Sequence, residues 1–266
     1  FKTMSTLETK PATKQEVLHE YILRLADDRL ILGQRLSEWT GFGPELEEDL
    51  AMANIALDMI GHASSLYEYA AELSGEEDRD DDYYAYFRDD TDFKNLKICE
   101  LPIGDFGFTI ARQFLFSSFS YFLYEQLKDS EDEQFAGIIK KHLKEIKYHL
   151  RHSREWVLRL GDGTEESHQK IQTAFDDIWM YTGELFDMDD VDKMAVKHGI
   201  GADSSGFHND WKELVVNTME EATLKVPDFN QYMQEGGRRG FHTEYLGHLL
   251  AQMQFLRRSY PDGEWK

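Results

Sequence analysis

The chain has 266 residues, with 29 basic against 51 acidic side chains, a formal charge of −22 and a hydrophobic content of 41%. That length can bury a substantial core, while the acidic balance argues against nucleic-acid or membrane-surface binding, which both need a surplus of Lys and Arg. Cys99 is the one cysteine, which excludes an intrachain disulfide framework and a thiolate zinc site and suits a reducing cytoplasm.

Phe1 to Thr3, ahead of Met4, read as a cloning remnant, and residues 1–11 as a disordered segment without signal-peptide character. No apolar run reaches the roughly 18 residues of a membrane span. With five prolines and apolar residues recurring at a period of 3.6, the remainder predicts an all-α protein. Thr13 followed by Glu16 is a capping box, and it opens a first helix of about 24 residues that ends at GFGP, 41–44. Pro44 suits the first turn of a second helix, which runs to Ser74 and Gly75.

A loop-rich section from Gly75 to Gly107 is long enough to be a crossover between two helix pairs, as in ferritin-like bundles. The third helix is predicted over 108–130 and the fourth over 134–163, closed by Gly161 and Gly163. Further helices are predicted at 164–186, near 190–198, at 208–222 and at 241–258. With no repeat and no low-complexity linker, a single ferritin-like helical domain over 12–262 is expected: a four-helix bundle with additional C-terminal helices.

The fourth helix raises the chemical question. Glu145, His149 and His152 lie along the flank of an apolar stripe formed by Ile139, Leu143, Ile146, Leu150, Val157 and Leu160. A di-iron bundle uses Glu-x-x-His on two helices and a Glu on each of the other two. Here the residue three after Glu145 is Tyr148, and histidine comes one position later. The second helix offers Asn54, Asp58 and His62 as polar exceptions in an apolar stretch, and no Glu-x-x-His. That motif does occur at Glu16–His19 and Glu165–His168, both in first turns where capping accounts for the Glu.

Asp28, Asn54, Asp58, Glu145 and His149 are therefore read as a vestigial polar core, in which Asp58 needs a donor such as Arg35, Arg112 or His149. The competing reading is a di-metal oxygenase or oxidase site made of Asp28, Asp58, Glu145 and His149. A third is a ferritin-like storage or scaffold protein. No catalytic, cofactor-binding or metal-binding residue is assigned on the first reading.

Several stretches resemble the PaaC family: QRLSEWTGFGPELEEDLAMANIALDMIGHASSLYEYAAEL (34–73), FTIARQFLFSSF, EIKYHLRHSREWVLRLGDGTEESHQKIQ (145–172), ELFD, EATLKVP, GGRRGFHTEYLGHLLAQMQFLRRSYP (236–261) and the final EW. Those are the structural β-type subunits of the bacterial phenylacetyl-CoA epoxidase. The resemblance implies a ferritin-like fold and a metal-free subunit paired with a homologous catalytic subunit. The di-iron centre would belong to that partner, and the NADPH, flavin and iron–sulfur chemistry to a separate reductase. A homodimer is left open, and no nucleic-acid or membrane partner is expected. The apolar second helix and the aromatic-rich third helix (Phe106, Phe108, Phe114, Phe116, Phe119, Tyr121, Phe122, Tyr124) exceed what one core stripe hides. Either a partner covers them, or the crossover and later helices do.

Overall fold

The central element is α1, Lys14–Ser37, whose Thr13–Glu16 capping box forms as the sequence predicts. It is buried on every side, including Arg24, Asp27, Asp28, Arg29 and Arg35. In a computed structural model, which describes residues 13–263, it is surrounded by α2 (Leu46–Ser74), α3 (Phe106–Leu127), α4 (Glu133–Gly161), α5 (Glu165–Ile178), α6 (Asp190–Lys197), α7 (Ser204–Glu221) and α8 (Glu244–Ser259). Among the described residues there is no strand, and no helix is long and apolar enough to cross a membrane. The architecture is all-α and ferritin-like, with α1–α4 as the bundle and the later helices against it. The segment 1–11 and the final EW lie outside the described residues.

Charged groups buried around α1 must be paired, because an isolated ion in the interior costs several kcal/mol. Asp27 accepts from the Tyr67 hydroxyl at 2.5 Å, from the Lys94 backbone N–H at 2.8 Å and from the Arg88 guanidinium. Asp28 accepts from the Leu96 N–H at 2.7 Å and from both Nη atoms of Arg238, at 3.1 and 2.8 Å. Arg24 forms ion pairs with Glu20, Asp189 and Asp192. These contacts draw three remote parts of the chain onto α1: the crossover, the start of α6 and the turn before α8.

The crossover is more structured than a loop. It holds a π-helical turn at Tyr83–Phe87 and 3₁₀ turns at Asp90–Asp92 and Lys97–Cys99. Fully buried Glu100 ties it to α8, accepting from Asn95 Nδ2 (2.9 Å), His242 Nδ1 (2.5 Å), and the Thr243 N–H (2.8 Å) and hydroxyl (2.6 Å). This anchor delays the last helix to Glu244, three residues beyond the predicted start. The helix expected at 164–186 stops at Ile178 and continues as two 3₁₀ turns, Trp179–Tyr181 and Gly183–Phe186. Glu184 is thereby turned inward, accepting from the N–H groups of Lys97 (2.8 Å) and Gly237 (2.5 Å). Pro44 precedes α2 rather than entering its first turn; Asp49 reaches back to the N–H groups of Gly41 (2.7 Å) and Gly43 (3.1 Å) and holds the entry loop.

The two apolar excesses have different fates. All eight α3 aromatics are buried or half-buried, capped by α5 and α7; Trp211 lies against α3 and donates to Ser118 Oγ at 2.9 Å. By contrast, α2 leaves Leu46, Leu50 and Leu57 exposed.

Replacing Arg238 by Met strands the Asp28 carboxylate and is expected to cost about 3–5 kcal/mol of unfolding free energy by denaturant titration. Two glycines of α4 should diverge. A Cβ on Gly161 would sit 2.3 Å from the Ala222 carbonyl oxygen, so Gly161→Ala should destabilise by about 1–3 kcal/mol. Gly137 has open space around it, so Gly137→Ala should stabilise by about 0.5–1 kcal/mol.

Candidate functional site: the seam between the second and fourth helices

Side chains four apart on a helix share one face. Helix α2 carries Asp58 and His62 at that spacing, and α4 carries Glu145 and His149. The two helices run antiparallel, so the pairs meet reciprocally. His149 Nε2 lies 2.9 Å from Asp58 Oδ2, and His62 Nε2 lies 2.5 Å from Glu145 Oε2. The seam extends both ways, with His142 Nε2 at 2.9 Å from Ser65 Oγ and His152 Nε2 at 2.9 Å from Glu48 Oε2. The His62 and His142 rings stack, their centroids 3.8 Å apart.

Of the five residues predicted for a polar core, the structure brings together Asp58, Glu145 and His149. Asp28 belongs to the Arg238 pair on α1. Asn54 is exposed on the outer side of α2. Of the donors considered for Asp58, His149 serves. Arg35 instead binds Glu38 and the carbonyls of Glu100 and Tyr245, and Arg112 binds the carbonyls of Leu101 and Pro102. The two first-turn histidines are also engaged locally, His19 with the Tyr84 hydroxyl (2.9 Å) and His168 with the Gly161 carbonyl (2.7 Å).

Sequence reasoning missed Arg29. It is 2% exposed, its Nε donates to the Tyr124 hydroxyl at 3.3 Å, and its guanidinium lies 4.8 Å from the ring centroids of Phe116 and Tyr124. It faces the centre of the bundle, near the seam histidines. Nothing in its spacing distinguishes it from its exposed counterparts; only burial of α1 on all sides reveals it. The role of His62 was legible in principle, because Asp58-x-x-x-His62 and Glu145-x-x-x-His149 are one pattern written on two helices.

This donor set does not fit a di-iron centre. The carboxylates that would bridge two metals are each engaged with an imidazole, and a guanidinium occupies the middle of the bundle. Among the described residues no group of three or more His, Cys, Asp or Glu is arranged to hold a metal ion. His62, His142 and His149 are all pushed below the usual imidazole value of 6.5, by burial first and with Arg29 contributing in each, and His142 falls to about 3. Glu145 is raised, by burial and then by the Asp58 charge. With His62 facing Glu145, His149 facing Asp58 and His142 facing the Ser65 hydroxyl, the seam forms a hydrogen-bonded latch between α2 and α4.

The depressed histidines give the fold a pH dependence of known sign. Once unfolded they titrate near 6.5 and bind protons that the folded state refuses, so their stability contribution is present above that value and is lost as pH falls toward the folded values. Glu145 acts oppositely above its unfolded value of 4.5 and offsets part of the loss. The seam's share of the stability should be level above about pH 7 and fall below about pH 6.5, while His242, raised by Glu100, contributes with the opposite sign above 6.5. His142→Gln should shrink the drop between about pH 7 and pH 5; an undiminished drop would contradict the assignment.

Residues 2–265 match the family described as phenylacetic acid catabolic protein. Over 248 residues, 93% of this chain and 99% of the relative, the sequence is 46% identical to a subunit of the 1,2-phenylacetyl-CoA epoxidase of Escherichia coli (strain K12). A match running through every helix, with identity of this extent, makes the chain a member of the phenylacetic acid catabolic protein family.

Proposed function

We propose that the chain is the structural, metal-free subunit of a phenylacetyl-CoA epoxidase: one ferritin-like helical domain over 12–262, acting in the cytoplasm in aerobic phenylacetate catabolism. It supports a homologous di-iron catalytic subunit, which receives electrons from an NADPH-dependent flavin and iron–sulfur reductase. The chain itself performs no chemical step.

The observation that carries this reading is the seam. Where a ferritin-like oxygenase converges carboxylates and histidines from four helices onto metal, this chain closes its carboxylates and histidines on each other across two helices and places Arg29 at the centre. Likeness to a relative named as part of the epoxidase supplies the context.

Iron analysis tests it. Chain produced in iron-replete cells should hold well under one iron, and about two per chain would overturn the proposal. Co-expression with the catalytic subunit should yield a stable complex, and phenylacetyl-CoA turnover should collapse when this chain is omitted.

A further inference from the structure

The buried arginines of this chain find oxygen partners, with one exception. Arg24 pairs with Glu20, Asp189 and Asp192, and Arg88 with Asp27. Arg35 pairs with Glu38 and donates to two carbonyls, and Arg112 donates to the carbonyls of Leu101 and Pro102. Arg29, equally buried, has neither a carboxylate nor a carbonyl. Its one hydrogen bond among the described residues runs from Nε to the Tyr124 hydroxyl, and its Nη atoms form no hydrogen bond or ion pair. The rings of Phe116 and Tyr124 face the guanidinium, but such contacts offset only part of the cost of burying a cation.

Helix α3 turns a polar stripe toward this cation. Phe116, Ser120 and Tyr124 recur every four residues, so Ser120 lies on the face that meets Arg29, between the two rings. Gln113 and Ser117 extend the stripe at spacings of four and three. The other side of α3 is committed elsewhere: Phe114 packs on Phe175 of α5, Phe119 packs on Phe207 of α7, and Ser118 is paired with Trp211. Gln113, Ser117 and Ser120 are at most 1% exposed, yet both hydroxyls and both amide atoms of Gln113 have no hydrogen-bond partner in the protein. Buried polar groups in folded chains are almost always paired. Three unpaired ones on the face that meets an unpaired guanidinium point to one shared occupant.

The chemistry of the set selects that occupant. Guanidinium, hydroxyl and amide N–H groups are all donors, and a neutral molecule would leave the Arg29 charge unbalanced. Local charge agrees: Asp27 and Asp28 are neutralised by Arg88 and Arg238, while Arg112, beside Gln113, is a second buried cation without a carboxylate. Enclosure this tight admits one ion about the size of a water molecule, which favours a halide over phosphate or an organic acid.

We infer that the bundle centre between α1 and α3 is a halide site, in which chloride accepts from the Arg29 Nη groups, the Ser117 and Ser120 hydroxyls and the Gln113 amide. A crystal soaked in sodium bromide should show an anomalous peak beside Arg29, within hydrogen-bonding distance of Ser120. In solution, replacing sodium gluconate by sodium chloride at constant ionic strength should raise the melting temperature, because an ion bound only by the folded state stabilises it. In Ser117→Ala and in Ser120→Ala the rise should set in at about 10-fold higher chloride. Arg29→Met should abolish it with the helical circular-dichroism signal retained; should that variant not fold, the serine variants and the bromide map decide. Bromide peaks at the surface only, water alone beside Arg29, or a chloride response unchanged by both serine substitutions overturns the inference. Iron content enters none of these measurements, so the proposed function stands or falls separately.

Discussion

The arrangement of this protein follows from two adjacent carboxylates, Asp27 and Asp28, on a helix with no solvent face. Neighbours in sequence on an α-helix point in different directions, so both can be buried only if the surroundings supply donors on two sides. Arg88 and Arg238 supply them, one from the crossover and one from the turn before the last helix, with the Lys94 and Leu96 N–H groups completing the shells. Burial raises the Asp28 carboxyl, and Arg238 is the main opposing influence. A segment of about 30 residues that would otherwise be a solvated loop is thus drawn against α1, and Glu100 and Glu184 repeat the device one layer out.

The seam obeys the same rule with different partners. Each of its imidazoles faces an oxygen on the opposite helix, and Arg29 supplies a positive charge that disfavours protonating His62, His142 and His149. A spacing of four instead of three between carboxylate and histidine leaves both on one face, so the offset alone does not decide between a metal site and a latch. The antiparallel register sets the Asp of one helix against the His of the other and pairs both.

Apolar surface is allocated by the later helices. Composition marks α2 and α3 alike as richer in apolar residues than a single core stripe requires. Helix α7, with Trp211 and Phe207, covers α3, while nothing among the described residues reaches the outer side of α2.

Local signals in the sequence sufficed for the all-α class, the lengths of the four long helices and the Thr13–Glu16 cap, since periodicity and capping act within a few residues. They also sufficed for the candidates Asp58, Glu145 and His149, because residues four apart on a helix share a face. They did not reveal that Asp28 and Asn54 leave this group, that Arg29 enters the bundle centre, or that Glu100, Glu184 and Arg238 hold the crossover. Those outcomes depend on which side of each helix meets another element and at what level. That is a property of helix register and packing between residues 53 to 210 positions apart, and it was decided only by the tertiary structure.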